Sequence, residues 1–290
     1  MSEIGARARN GDVELVYERV GPPDGEPLLL VMGLAMQMLF WHDDLCAEFA
    51  RQGFSPVRFD NRDVGESTHL TGRGAPSLPA VLAAPRSVAS YRVADMAADA
   101  VAVLDALGWE SAHVVGTSMG GMIAQALAIE HPHRVRSLTS VMSTPSPRIG
   151  RPTFGATLAL AARPARSADQ AAERVVRTFR VIGSPGYPLD ENWLRDYGRR
   201  AFARGHDPAG GRRQLAAINA SHSRVAGLRG VRVPTLVVHG EADPLVRPAG
   251  GRATAEAVPG ARLMTFPGMG HNLPRELWPT VVGAIAGLVV

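Results

Sequence analysis

The chain contains no lysine: all 31 of its basic residues are arginine. That absence excludes Schiff-base chemistry and P-loop phosphate binding, both of which need a lysine amine. A single cysteine, Cys46, excludes an intramolecular disulfide and a cysteine zinc cluster. Long apolar runs are missing as well. The longest, Leu28–Met36 and Val281–Val290, fall far short of the ~20 residues a membrane helix needs. The first ten residues lack the apolar centre of a signal peptide. No block of five basic residues occurs and the net charge is only +4, so nucleic acid is not an expected partner despite a pI of 9.9. A cytoplasmic protein that binds neither membrane nor nucleic acid is the expectation.

What remains is an ordinary globular composition over 290 residues, 46% apolar and 20% charged. A chain of this length buries roughly three quarters of its surface and needs no metal or disulfide for stability. Short β-rich runs alternate with helical stretches, the pattern of a parallel-sheet α/β domain. Strands are expected at Asp12–Arg19, Pro27–Met32, Pro56–Asp60, Ala112–Gly116, Val135–Met142, Thr235–His239 and Arg262–Phe266. In Leu236-Val237-Val238 successive residues are apolar, as in a strand covered on both faces. Val93, Met96, Ala97, Ala100, Val101, Leu104 and Leu107 recur at helical spacing, with Gly108 as a stop.

One stretch breaks the alternation. Residues 146–230 offer only helix-like pieces, at Phe154–Ala162, Ala168–Arg180, Glu191–Arg204 and Gly211–Ser221. The stretch holds 15 arginines against 6 acidic residues, a net +9, while the remainder of the chain carries −5. A helical insert between parallel strands is most simply a cap over the strand ends, where open α/β sheets bind ligands. The expected organisation is a core of residues 1–145 and 231–290 with a cap at 146–230. Its arginines are expected to face water, the alternative being that they steer anionic substrates.

Gly116-Thr117-Ser118-Met119-Gly120 is a G-x-S-x-G motif between a strand and an apolar helix, the context that motif requires. Ser118 must sit on a sharp turn that leaves its hydroxyl free, and glycines flank it because a Cβ would collide across the turn. The start of the helix then aims N–H groups at a developing oxyanion. A serine hydroxyl is a weak nucleophile and needs a base and an orienting acid, which in this architecture follow in the order Ser, acid, His. His271, in a glycine-rich loop after the last strand, suits the base. Asp243, just after the preceding strand, suits the acid, with Glu241 as its local rival. His131 and His133 end a helix and read as structural; the remaining histidines show no ligand spacing, and Cys46 reads as a passive buried thiol.

With these pieces in place the chain resembles the α/β-hydrolase family over nearly its whole length, and within it bacterial carboxylesterases of the aclacinomycin methylesterase type. The resemblance rests on Leu28–Gly33, Arg58-Phe59-Asp60-Asn61-Arg62-Asp63-Val64-Gly65-Glu66-Ser67, the Ser118 turn, Gly240-Glu241-Ala242-Asp243-Pro244 and Gly268-Met269-Gly270-His271. Met32-Gly33-Leu34 replaces the His-Gly of many members, and Asp63 replaces a usual glycine. The resemblance implies an oxyanion hole from the Leu34 and Met119 N–H groups. It also implies an α/β-hydrolase fold with a helical cap, and hydrolysis of a carboxylic ester, methyl esters included, of a small apolar substrate through an acyl-enzyme, with no cofactor and no metal. Trp41, Phe179, Tyr187, Trp193 and Phe202 are the expected pocket residues. The alternatives are an enol-lactonase or carbon–carbon bond hydrolase, a cofactor-free perhydrolase or haloperoxidase, and a non-catalytic binding protein on the same fold.

Overall fold

The computed structural model describes residues 5–161 and 163–289. The expectations that touch Met1–Ile4, Ala162 and Val290 lie outside the described residues. Eight strands form one sheet: β1 (Ala6–Asn10), β2 (Val13–Arg19), β3 (Glu26–Val31), β4 (Phe54–Phe59), β5 (Ala112–Thr117), β6 (Val135–Val141), β7 (Thr235–Gly240) and β8 (Arg262–Phe266). They lie in the order β1-β2-β4-β3-β5-β6-β7-β8, and β2, antiparallel to both its neighbours, is the one strand that runs against the rest. The seven expected strands are present. β1 is additional, joined to β2 through a two-residue turn in which Gly11 takes φ +58°, a conformation that favours glycine.

The helices in chain order are α1 (Asp43–Arg51), α2 (Leu78–Ala83), α3 (Pro85–Val88), α4 (Val93–Ala106), α5 (Met119–Glu130), α6 (Phe154–Leu160), α7 (Ala168–Ile182), α8 (Glu191–Arg204), α9 (Pro208–Ala220), α10 (Val225–Leu228), α11 (Ala249–Ala257) and α12 (Trp278–Ala286). Alternate strand residues feed two cores, because successive side chains of a strand point to opposite faces. Leu29, Val31 and Val114 pack with Met96, Ala100 and Leu104 of α4 and with Ile123 and Leu127 of α5. Leu28, Leu30 and Val115 pack on the other face with Leu45, Cys46 and Phe49 of α1 and Val281, Val282 and Ile285 of α12. Among the described residues, no helix is long and apolar enough to cross a membrane.

Between β6 and β7 lie α6 to α10, in the region expected to be wholly helical. Capping side chains set where four of them begin: Thr153 accepts from Ala156 N–H, Ser167 from Gln170 N–H, Asp190 from Trp193 N–H and Asp207 from Ala209 N–H. Asp207 and Pro208 at the first turn start α9 three residues before the expected Gly211. The segment packs in two ways. α6, α7 and α8 share a small cluster of their own, with Ala156, Val176, Phe179, Ile182 and Leu194, against which Met36 and Phe40 pack. Ala217 of α9 and Leu228 of α10 instead join the large core.

Candidate active site

The site lies past the C-terminal ends of the parallel strands, where open α/β sheets leave a crevice. Ser118 follows β5 and precedes α5 at φ +55°, ψ −118°, a region L-residues rarely occupy. Its N–H donates to Val141 O at 2.9 Å, and its carbonyl accepts from Ser143 Oγ at 2.7 Å. The turn is as tight as the motif implies. A Cβ on Gly116 would strike the Gly120 carbonyl, and one on Gly120 would strike the Val31 carbonyl on the neighbouring strand. Strand and helix therefore approach as only glycine permits.

His271 and Asp243 come to this turn from the loops after β8 and β7. His271 Nε2 lies 2.9 Å from Ser118 Oγ, and His271 Nδ1 lies 2.7 Å from Asp243 Oδ2. Asp243 is buried, and its Oδ1 accepts from Leu245 N–H at 2.8 Å and Val246 N–H at 2.9 Å. These bonds aim the carboxylate at the imidazole. Glu241 turns away: it is exposed and accepts from Thr265 Oγ1 at 2.9 Å. Behind Asp243, the buried His239 donates Nε2–H to Val246 O at 2.7 Å, and burial pushes its pKa down.

The loop after β3 runs beside the serine. A Cβ on Gly33 would lie 3.2 Å from Ser118 Cβ and 3.8 Å from its Oγ. Among the described residues, neither Leu34 N–H nor Met119 N–H has a hydrogen-bond acceptor, whereas Ala35, Met36, Gln37 and Met38 N–H all do. Residues that sequence reasoning passed over hold this loop and the histidine loop. Ala35 N–H donates to Gln214 Oε1 at 2.8 Å, and Gln37 N–H donates to Tyr197 Oη at 3.0 Å. Gly270 N–H donates to Ser184 Oγ at 2.9 Å, Ser184 Oγ donates to Asn272 Oδ1 at 2.7 Å, and His271 N–H donates to Ile182 O at 2.7 Å. All of these partners to the two loops except Asn272 come from between β6 and β7, at sequence distances no local pattern reveals.

The expected pocket residues separate into groups. Phe179 and Trp193 meet at Phe40, with ring centroids 5.1 Å from it in each case, and Tyr197 closes the same cluster at 5.0 Å. Trp41 belongs to the core under α1 and α12, and the partly buried Tyr187 packs against that core. Phe202 does not join them; its ring pairs with His206 at 4.7 Å. Phe40 and Tyr197 are thus aromatic neighbours of this region that sequence reasoning did not single out. Cys46 is buried, which pushes its thiol up to about 12.

Several arginines between β6 and β7 do not face water. Arg213, 1% exposed, holds Asp63 through two bonds of 2.7 and 3.0 Å and Asp207 at 2.5 Å. Arg204 bridges Asp60 at 3.0 Å and Glu66 at 2.9 Å, and the buried Arg224 donates to Gln125 Oε1 and Thr144 O. Asp63 takes φ +70° where a glycine is usual, and Tyr91 Oη and Leu70 N–H also donate to its carboxylate. Asp63, His69 and Asp207 bring three possible metal ligands together, but the Arg213 guanidinium already supplies the cation there.

Residues 26–274 match the α/β hydrolase fold family model. The rhodomycin D methylesterase of Streptomyces peucetius is 30% identical over 305 residues, covering 95% of both chains. The protein of the same name from another Streptomyces is 29% identical over 296 residues, covering 94% of both. Among solved structures, an enol-lactonase from Burkholderia xenovorans superposes with TM-score 0.74 at 23% identity over 98% of this chain and 99% of its own. An esterase from a Rhodococcus species gives 0.74 at 21% over 98% of both. With the fold, the strand-to-helix serine turn and a family match over most of its length, the chain belongs to the α/β hydrolase fold family.

Proposed function

We propose that the protein hydrolyses carboxylic esters, methyl esters of largely apolar acids among them, through an acyl-enzyme on Ser118. The observation that carries the reading is the continuous chain Asp243–His271–Ser118, at 2.7 and 2.9 Å, above a strained serine turn. In this reading His271 Nε2 takes the Ser118 proton as Oγ attacks the carbonyl carbon, then passes it to the departing alcohol. Water attacks the acyl-enzyme by the same route, releasing the acid and restoring Ser118. Asp243 holds the imidazole in the tautomer with Nδ1 protonated and balances the imidazolium as it forms. Leu34 and Met119 N–H stabilise the oxyanion.

The helices of residues 146–230 serve as the cap, whose aromatic cluster around Phe40 offers the apolar acid moiety a surface. The methylesterase names of two relatives that span nearly the whole chain support the choice of ester. The chemistry needs no cofactor. Turnover of a nitrophenyl ester and of an aromatic methyl ester by wild type and Ser118→Ala tests it. The variant should keep the fold and retain at most the ~10³–10⁴-fold acceleration over water that binding and an oxyanion hole supply. Near-normal turnover in Ser118→Ala, or none in wild type on any ester, overturns the reading.

A further inference from the structure

We infer that the oxyanion donor at Leu34 is set by the helices between β6 and β7, with Gln214 of α9 as its positioning residue and Tyr197 of α8 as a second hold. The inference rests on the oxyanion role proposed above. Its starting point is one peptide plane. The Gly33 carbonyl and the Leu34 N–H belong to the same peptide, and in a trans peptide they point in opposite directions. Gly33 O accepts from Met36 N–H at 3.3 Å, so it faces into the 33–36 turn and Leu34 N–H faces outward. Gly33 itself lies against Ser118. The direction of the donor is therefore the direction of this turn.

The turn is not comfortable on its own. Ala35 takes φ +57°, a conformation L-residues rarely adopt and one that persists only when the surroundings impose it. Gln214 imposes it. Its side chain is wholly buried, accepts from Ala35 N–H at 2.8 Å and donates Nε2–H to Arg62 O at 2.7 Å. Arg62 is in turn fixed on Asp99 by two bonds of 2.6 Å. Two residues further on, Gln37 N–H is held by Tyr197 Oη. The Gln37 side chain donates to Ala201 O at 2.7 Å and Gly205 O at 3.0 Å and accepts from Arg204 Nη1 at 2.8 Å. Burial of the Gln214 amide shields its end of both bonds from competing water, so the strained turn and the donor it carries depend on α9 remaining seated.

The test compares wild type, Gln214→Met, Gln214→Glu and Tyr197→Phe, with active sites counted by burst titration. Gln214→Met removes both hydrogen bonds at nearly constant volume. Its per-site kcat on nitrophenyl acetate should fall about 10- to 100-fold with KM within about threefold. This is less than the ~10²–10³ expected for deleting an oxyanion donor outright, because the N–H is loosened rather than lost. Inhibition by phenylboronic acid, which forms a tetrahedral adduct on the serine, should weaken by a similar factor. The midpoint of the acid limb of kcat/KM should stay in place, because Asp243 and His271 are untouched. Gln214→Glu, in the protonated form that so buried a position favours, keeps an acceptor for Ala35 N–H and a donor for Arg62 O and should recover much of the loss.

Per-site kcat within about twofold of wild type in folded Gln214→Met overturns the inference. So does a loss confined to the number of active sites, which is what a merely structural role would produce. If Gln214→Met does not fold, Tyr197→Phe decides: a smaller loss of the same kind supports the inference and an unchanged kcat overturns it. Failure of the underlying reading looks different, with Ser118→Ala retaining turnover whichever way the Gln214 variants behave.

Discussion

At the scale of single residues, the site is defined as much by what fixes each group as by the group itself. Asp243 and Glu241 are two positions apart after the same strand, yet only Asp243 has its carboxylate gripped by two backbone N–H groups and turned to His271. Glu241 spends its hydrogen bond on Thr265. Asp243→Asn should lower kcat by about 10⁴, because the amide stabilises the wrong imidazole tautomer, while Glu241→Gln should stay within about twofold. Steady-state kinetics on one nitrophenyl ester ranks the two, and the reverse order would show that the acid is misassigned. This contrast was half legible in the sequence. The motif and the chain order bring both carboxylates to the right strand end, but the choice between them depends on which backbone N–H groups the loop turns inward.

At the scale of elements, patterns that repeat locally could be read, and contacts across the chain could be read only where a motif marked both ends, as for Ser118 and His271. The seven expected strands carry apolar runs or alternation, and Ala168–Ile182 carries a helical stripe; in all of these but β8, whose residues are half-buried or exposed, the apolar positions are the buried ones. β1 reads Ala6-Arg7-Ala8-Arg9-Asn10 and buries only Ala8, which leaves almost no hydrophobic signal for a strand. Gln214 and Arg213 sit on α9 among ordinary helix residues, and their partners Ala35 and Asp63 are 179 and 150 positions away. Nothing near either residue hints at the pairing.

The same pairings explain why α9 lies against the turn after β4. Arg213→Met would strand the carboxylates of Asp63 and Asp207, of which Asp63 is fully buried. Breaking one side of such a pair costs about 3–5 kcal/mol. Denaturant unfolding should register that loss. A change below ~1 kcal/mol would mean that water or another side chain replaces the guanidinium.

At the scale of the whole molecule, the charge imbalance between the 146–230 segment and the rest is a joint as well as a surface property. Arg204 and Arg213 carry positive charge from the +9 segment to Asp60, Glu66 and Asp63 of the −5 remainder. Stability should also depend on buried neutral histidines. His113, bonded to Ser137 Oγ at 2.7 Å, and His239, bonded to Val246 O, both have their pKa lowered from 6.5, chiefly by burial. In the unfolded chain they take up protons as the pH falls through about 6.5, while in the folded protein they resist. The unfolded state then binds more protons, so their contribution is complete above pH 6.5 and is lost on acidification, at up to ~1.4 kcal/mol per pH unit for each histidine. Unfolding free energies at pH 7.5, 6.5 and 5.5 should fall in that order. A flat or rising series would contradict the neutral, buried assignment.

The central claim is that Ser118 is the nucleophile, activated by His271. A fluorophosphonate probe tests it most directly, since the nucleophile's oxygen displaces fluoride from phosphorus and leaves a stable adduct. Intact-mass and peptide mapping of wild type, Ser118→Ala and His271→Ala after timed exposure follow both the site and the rate. The account predicts one adduct per wild-type chain, located on Ser118, with esterase activity lost in step. It predicts no adduct on Ser118→Ala and strongly slowed labelling of His271→Ala. An adduct on another residue that accompanies inactivation, or labelling of Ser118→Ala at the wild-type rate, would contradict it.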